Sequence, residues 1–185
     1  PVDYGQKITL CDGIEVRFND VGHLLGSASI EVWITEGDVS KKVVFSGDVG
    51  NVNQPIIKDP QLVKEADYLV IESTYGDRTH GEDIPDYVGE FTRILRETFQ
   101  KGGNVVIPSF AVGRTQEILY FIREIKEKNL LPEFPGFEVY VDSPLAIEAT
   151  NVFNKNVKGC FDEEAMELVN QGINPLLFRG LKTTI

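Results

Sequence analysis

The sequence predicts an α/β protein in two parts: strand after strand over residues 1–78, then alternating helices and strands around a mostly parallel sheet over 79–185. Three observations carry that reading. Up to Asp48 the apolar residues recur in short runs and alternations of period two. From Val88 onward helical stripes of period 3.6 alternate with short β-branched runs. Between the two patterns the stretch from Gly76 to Asp86 is charged and rich in turn formers, and the domain boundary is placed there.

Residues 7–19 read as a hairpin whose turn dipeptide is Asp12-Gly13. Residues 29–36 set Ile30, Val32 and Ile34 against Ser29, Glu31, Trp33 and Thr35, a strand with its apolar face inward. Val43-Val44-Phe45 is a short strand that stops at Ser46-Gly47-Asp48. After a loop over 50–60, the run Tyr68-Leu69-Val70-Ile71 is too apolar to alternate and reads as a buried strand.

In the second part, Val88, Phe91, Leu95 and Phe99 form a helical stripe that Gly102-Gly103 ends. Val105-Val106-Ile107 and Val139-Tyr140-Val141 read as strands, with a helical stripe of Ile118, Phe121, Ile122 and Ile125 between them. Such alternation implies parallel strands joined by crossovers. Ser143 caps a third helix with Pro144 in its first turn, and a fourth runs from near Asp162 to Gly172. The aromatic residues Phe91, Phe99, Tyr120 and Phe121 fall on these stripes and read as core. No internal repeat or low-complexity segment interrupts the pattern.

Composition narrows the class. With 185 residues, 42% of them hydrophobic, the chain has enough apolar matter for a packed core. No apolar run reaches the ~18 residues of a membrane span, and the first residues lack the pattern of a secretory signal, so a cytoplasmic protein that avoids membranes is expected. Cys11 and Cys160 lie far apart without metal or redox spacing and are expected as buried, reduced thiols. The net charge of −11 divides into −6 over 1–78 and −5 over 79–185, so neither part is a general phosphate magnet.

Three segments place a polar residue where a β-rich run gives way to glycine: Gly22-His23 with Gly26-Ser27, Ser46-Gly47-Asp48, and Glu72-Ser73-Thr74-Tyr75-Gly76. Strand ends of this kind hold ligands rigidly while the glycines let the backbone bend. Taken singly, His23 also reads as a hydrogen-bonded loop residue, Asp48 as an Asx-turn residue and Glu72 as a partnered strand-end carboxylate. Their shared order and flanking glycines point to a metal site. Yet His23 and His80 are the only histidines, fewer than a two-zinc hydrolytic site requires.

These segments resemble the third and fourth metallo-β-lactamase motifs and motif A of the β-CASP family. Ile107-Pro108-Ser109-Phe110-Ala111-Val112-Gly113-Arg114-Thr115-Gln116-Glu117 and Val141-Asp142-Ser143-Pro144-Leu145-Ala146 resemble the β-CASP domain itself. The likeness runs from about residue 14 to 150 and is nearest to prokaryotic relatives of the cleavage and polyadenylation specificity factor endonuclease, then RNase J. It implies that 1–78 is the second half of a metallo-β-lactamase αββα sandwich and 79–185 the first part of a β-CASP domain, with the active site in the cleft between them.

The resemblance also implies a chemistry: hydrolysis of phosphodiester bonds in single-stranded RNA with two zinc ions. His23 would ligate one zinc, Asp48 would bridge both, and Glu72 would orient a histidine acting as general acid. The HxHxDH motif and the later histidine motifs of the family do not occur here, so the expectation is a fragment, inactive alone, with an incomplete zinc site. Exposed edges on such a fragment predict homo-oligomers. Gly113-Arg114 before a helix is a candidate RNA phosphate contact, with an Arg114 carboxylate pair as the alternative. His80 is a further candidate by its nearness to Glu72, with a solvated loop residue as the alternative. Ser109 and Ser143 lack a nearby histidine, which argues against a serine nucleophile. Rival readings are a DNA-processing β-CASP nuclease, disfavoured by glutamate at 72, and a non-catalytic partner in RNA processing.

Overall fold

The computed structural model describes residues 2–79 and 85–184. The chain divides into two compact units, residues 1–79 and 80–185, and the fold is mixed α/β. Among the described residues no helix is long and apolar enough to cross a membrane.

The first unit is one five-stranded sheet in the order β1 (Lys7–Cys11), β2 (Ile14–Asp20), β3 (Ala28–Glu36), β4 (Val39–Phe45), β5 (Tyr68–Val70). The first four strands form an antiparallel meander, and β5 returns to lie parallel to β4. Gly13 makes the β1–β2 turn at φ +73°, and a Cβ there would lie 2.4 Å from the Thr35 carbonyl oxygen, so the tight turn excludes any side chain. The strand predicted from Val43 extends back to Val39; Ser40, Lys41 and Lys42 gave its first half no apolar signal.

Sheet burial reverses one expectation. On β3 the buried residues are Ser29 and Glu31, whereas Ile34 on the apolar face is 44% exposed. Glu31 is covered because cross-strand neighbours converge on it: Arg17 Nε donates at 2.5 Å, Asn19 Nδ2 at 2.9 Å, and Lys42 pairs with its other oxygen. Burial pushes this carboxyl up, but the three donors outweigh it and hold Glu31 at about 2. Trp33, two residues along the same face, lies beneath the side chains of Lys7, Arg17 and Lys42.

The run at 68–71 forms a strand but is not buried. Tyr68, Leu69, Val70 and Ile71 are all more than half exposed. The ladder to β4 occupies one edge, and Asp67 anchors the strand's start by accepting from the Lys42 amide at 2.8 Å and Lys41 Nζ at 2.9 Å. Neither face of β5 is well covered by the described residues, so its apolarity is left unspent.

The second unit begins with α1 (Tyr87–Gln100), capped by the Asp86 carboxylate on the Gly89 amide at 2.8 Å. It packs with α2 (Arg114–Glu127) around Leu95, Ile125 and Leu131, with Phe91, Phe99 and Phe137 against them. Then come β6 (Val139–Val141), α3 (Pro144–Lys155), the short kinked α4 (Val157–Cys160), α5 (Glu163–Asn170) and β7 (Leu181–Thr183), which pairs parallel with β6. Ser143 and Asp162 cap α3 and α5 through the amides of Ala146 and Ala165. Val105–Ile107, predicted as a strand, has no ladder partner among the described residues, and Val106 is 87% exposed. The thiols also differ from expectation: Cys11 is exposed on β1 and Cys160 is half-buried.

Candidate active site

Two loops are drawn together at the ends of β2 and β4. The Gly50 amide donates to the Val21 carbonyl at 2.9 Å, which lays the 46–50 loop along the 21–23 segment. The approach is so close that a Cβ on Gly50 would lie 1.7 Å from the Gly22 carbonyl oxygen. Gly22 itself has φ +62°, and its amide is fixed by the buried Asp20 carboxylate at 3.0 Å. Ser27 completes the turn by accepting from the amides of His23 at 3.2 Å and Leu24 at 3.1 Å.

The consequence is that His23 Nε2 stands 3.9 Å from Asp48 Oδ2. Both groups remain open, with the imidazole 40% and the carboxylate 75% exposed. Asp48 makes no shorter hydrogen bond among the described residues, so its oxygens are available to a ligand.

Glu72 reaches the same loops from the end of β5. Its Oε1 accepts from the Val49 amide at 2.7 Å, next to Asp48, and its Oε2 accepts from the Thr74 hydroxyl at 2.5 Å and the Thr74 amide at 3.3 Å. The Thr74 hydroxyl, then the Val49 amide, hold this carboxyl below its ordinary range. Ser46 ties the strands by donating to the Gly47 carbonyl at 2.6 Å and accepting from the Glu72 amide at 3.0 Å. Glu72 is therefore an anion braced by three donors on its two oxygens.

His23 and Asp48 are ligand types that suit zinc, but two donors fill only part of a four-coordinate shell. Among the described residues no group of three or more histidine, cysteine, aspartate and glutamate side chains is disposed to hold a metal. The remaining donors of any zinc site would have to come from elsewhere.

The other candidate residues lie in the second unit or outside the described residues. Gly113 begins α2 at φ +83°, but its amide donates to Gln116 Oε1 at 2.8 Å. Arg114 pairs with Glu117 at 2.6 Å and is 63% exposed. His80 lies outside the described residues. Ser109 bonds to the Thr115 hydroxyl at 2.9 Å, with no histidine hydrogen-bonded to it among the described residues.

Sequence reasoning gave no role to Asp20, Ser46, Gly50 or Thr74, which position the cluster. The signal for Gly50 was present in the Gly-Asp-Val-Gly spacing. That for Asp20 was not, because its partner is a backbone amide.

Residues 115–185 match the family described as the Beta-Casp domain. The chain is 37% identical over 182 residues to a ribonuclease of Thermus thermophilus, an alignment covering 98% of this chain and 39% of that protein. It is 31% identical over 185 residues to the transcription termination factor FttA of Methanosarcina mazei, covering 98% of this chain and 28% of that protein. An endoribonuclease of Yarrowia lipolytica is 30% identical over 184 residues, with 98% of this chain and 21% of that protein aligned. The chain thus spans two fifths or less of the length of these relatives. With a Beta-Casp match over residues 115–185 of its second unit and alignments that run through both units, the chain is similar to the β-CASP family.

Proposed function

We propose that the protein carrying this chain hydrolyses phosphodiester bonds of single-stranded RNA at a dinuclear zinc centre, and that residues 1–185 supply part of that centre. The observation that supports this most is the convergence of His23 Nε2 and Asp48 Oδ2 at 3.9 Å, with Glu72 bound to the neighbouring Val49 amide. The names of the relatives, two of them ribonucleases, favour RNA as substrate. In this reading the first unit is the second half of a metallo-β-lactamase sandwich and the second unit the first part of a β-CASP domain.

His23 and Asp48 would hold metal, and zinc when bound would supply an activated water for in-line attack at phosphorus. What the chain's own residues do can be derived more closely. The Gly22–Gly50 contact fixes the spacing of imidazole and carboxylate in advance, so ligand positions need no reorganisation on binding. Glu72, kept ionised by Thr74 and Val49, presents a fixed negative charge that would orient and polarise an imidazole brought against it. Arg114 keeps an exposed guanidinium that can meet a phosphate, whereas the Gly113 amide is already taken by Gln116. Such an enzyme would act in the cytoplasm, and the uncovered β5 would make the isolated chain prone to self-association.

Zinc calorimetry on residues 1–185 and on the full-length protein, with cleavage of a labelled single-stranded RNA, tests the reading. Full-length protein should bind two zinc ions and cleave, and His23→Ala or Asp48→Ala should lower kcat by about 100-fold or more. Residues 1–185 alone should bind zinc weakly and not cleave. Full activity in both variants would sink the assignment.

A further inference from the structure

Tyr75 and Arg78 stand on the loop that follows Glu72, and the chemistry derived above uses neither. The loop is tied from within. The Gly76 amide donates to the Ser73 carbonyl at 3.0 Å, the Arg78 amide donates to the Tyr75 carbonyl at 3.2 Å, and Thr74 donates to the Glu72 carboxylate. Gly76 suits so tight a turn, since a Cβ there would lie 3.3 Å from the Ser73 carbonyl oxygen.

A single exposed aromatic residue is ordinary on a protein surface. This one is pinned. The Arg78 guanidinium carbon lies over the Tyr75 ring, 5.2 Å from its centroid, while the ring stays 62% exposed. The guanidinium covers one face of the ring and leaves the other open. Arg78 commits only its Nε–H, to the Asp77 carboxylate at 3.2 Å; its terminal amino groups and the Tyr75 hydroxyl make no hydrogen bond among the described residues. The pair also has a defined place. Glu72 holds Thr74, the residue before Tyr75, with one oxygen and the amide of Val49, the residue after Asp48, with the other.

We infer that Tyr75 and Arg78 form a nucleotide subsite beside the His23–Asp48 cluster, in which one base of a single-stranded RNA stacks on the open face of Tyr75 and an adjoining phosphate meets the Arg78 amino groups. The inference rests on the nuclease reading and adds to it where the strand is gripped. Charge alone would not draw a polyanion here, because Asp48, Glu72 and Asp77 stand in these two loops against one guanidinium. The ring must supply most of the hold, and stacking serves any base, since every base has a π-face. Arg78 contributes twice: it fixes the ring before the base arrives, and it offers paired N–H donors to phosphate. An apolar peptide on the same ring would leave those donors unmatched.

Kinetics of the zinc-loaded full-length protein on a labelled single-stranded RNA test it, with Kd read by anisotropy in an Asp48→Ala background that suppresses cleavage. Tyr75→Ala should raise KM and Kd by about 10-fold or more, and Tyr75→Phe should restore both. The kcat of Tyr75→Ala should stay within about 2-fold of the parent, because the stack is equally present in the ground and transition states. RNAs carrying one abasic nucleotide, moved along the strand, should show a single position whose loss weakens binding to the parent and not to Tyr75→Ala. Arg78→Ala should lower the slope of log Kd against log salt by about 0.7, the release of one single-strand phosphate. If the parent cleaves RNA and Tyr75→Ala matches its KM and Kd, the subsite fails while the nuclease reading stands. A fall in kcat at constant KM, or a weakening that no abasic position reproduces, would mean that Tyr75 braces the Glu72 loop, which also overturns the subsite. A parent protein that neither binds nor cleaves RNA would overturn the nuclease reading and the subsite together.

Discussion

The loop cluster of the first unit and the Asn104–Ser109 stretch of the second are built on opposite principles. At His23 and Asp48 the turns are tied by local bonds, Asp20 to Gly22 and Ser27 to His23 and Leu24, and the two loops are joined to each other by Gly50 to Val21. All of those contacts lie within 1–79, so the spacing of His23 and Asp48 is set there. At Asn104–Ser109 the sequence provides the branched residues of a strand, but a strand is stabilised by its neighbours, and among the described residues none pairs with it. A loop can be self-sufficient where a strand cannot.

The sharpest way to break the contrast is Gly50→Ala. Its Cβ has no room against the Gly22 carbonyl, so the two loops must part, at a cost of about 3 kcal/mol or more. Urea unfolding followed by the amide signals of β2 and β4 should show it, while the second unit's transition stays put. An unchanged midpoint would mean that the loop contact is dispensable.

Gln116→Ala asks whether the second unit also has a self-tied loop. Gln116 is fully buried, and its amide group bonds the Gly113 amide, the Ala111 carbonyl and the Thr150 hydroxyl at 2.8, 3.1 and 2.9 Å. Its loss strands buried partners and should cost about 2 kcal/mol in the second unit's unfolding free energy. No change would move the 111–116 turn into the same class as Asn104–Ser109.

Glu31→Gln probes the sheet rather than its loops. The native carboxyl is held at about 2 against an ordinary 4.5, so it stabilises the fold above about pH 4.5, and this contribution fades as pH falls toward 2. The substitution should cost about 1–2 kcal/mol at pH 7 and nothing near pH 2. A gap between the two proteins that persists to pH 2 would point to packing instead of charge. The smallest effect belongs to Thr74→Val, which removes the first of the donors that hold Glu72 down. The Glu72 titration, read by carboxyl carbon shifts, should move up while stability changes little.

These contrasts explain what could be read from residues alone. The hairpin at Asp12-Gly13, the cap at Ser143, the helix start near Asp162 and the stripe from Val88 to Phe99 were legible because turn chemistry and helical period are local. Burial was not. Tyr68–Ile71 has the composition of a covered strand and is exposed, and Glu31 looks like a solvent-facing residue and is buried by Arg17, Asn19 and Lys42. β7 escaped notice because Lys182 and the two threonines after it carry little apolar signal. The pairing of His23 with Asp48 was foreshadowed by the glycines. The role of Asp20 was invisible, since nothing in an aspartate's identity shows which backbone amide it will meet.

Trp33 has a practical consequence. It is the only tryptophan of the chain, and it lies on β3 beneath Lys7, Arg17 and Lys42. Every helix among the described residues lies in the second unit. Indole fluorescence, sensitive to those three cations, therefore reports on the sheet alone, and helical circular dichroism reports on the other unit. One sample, watched at two wavelengths, yields separate melting curves for the two units without any label.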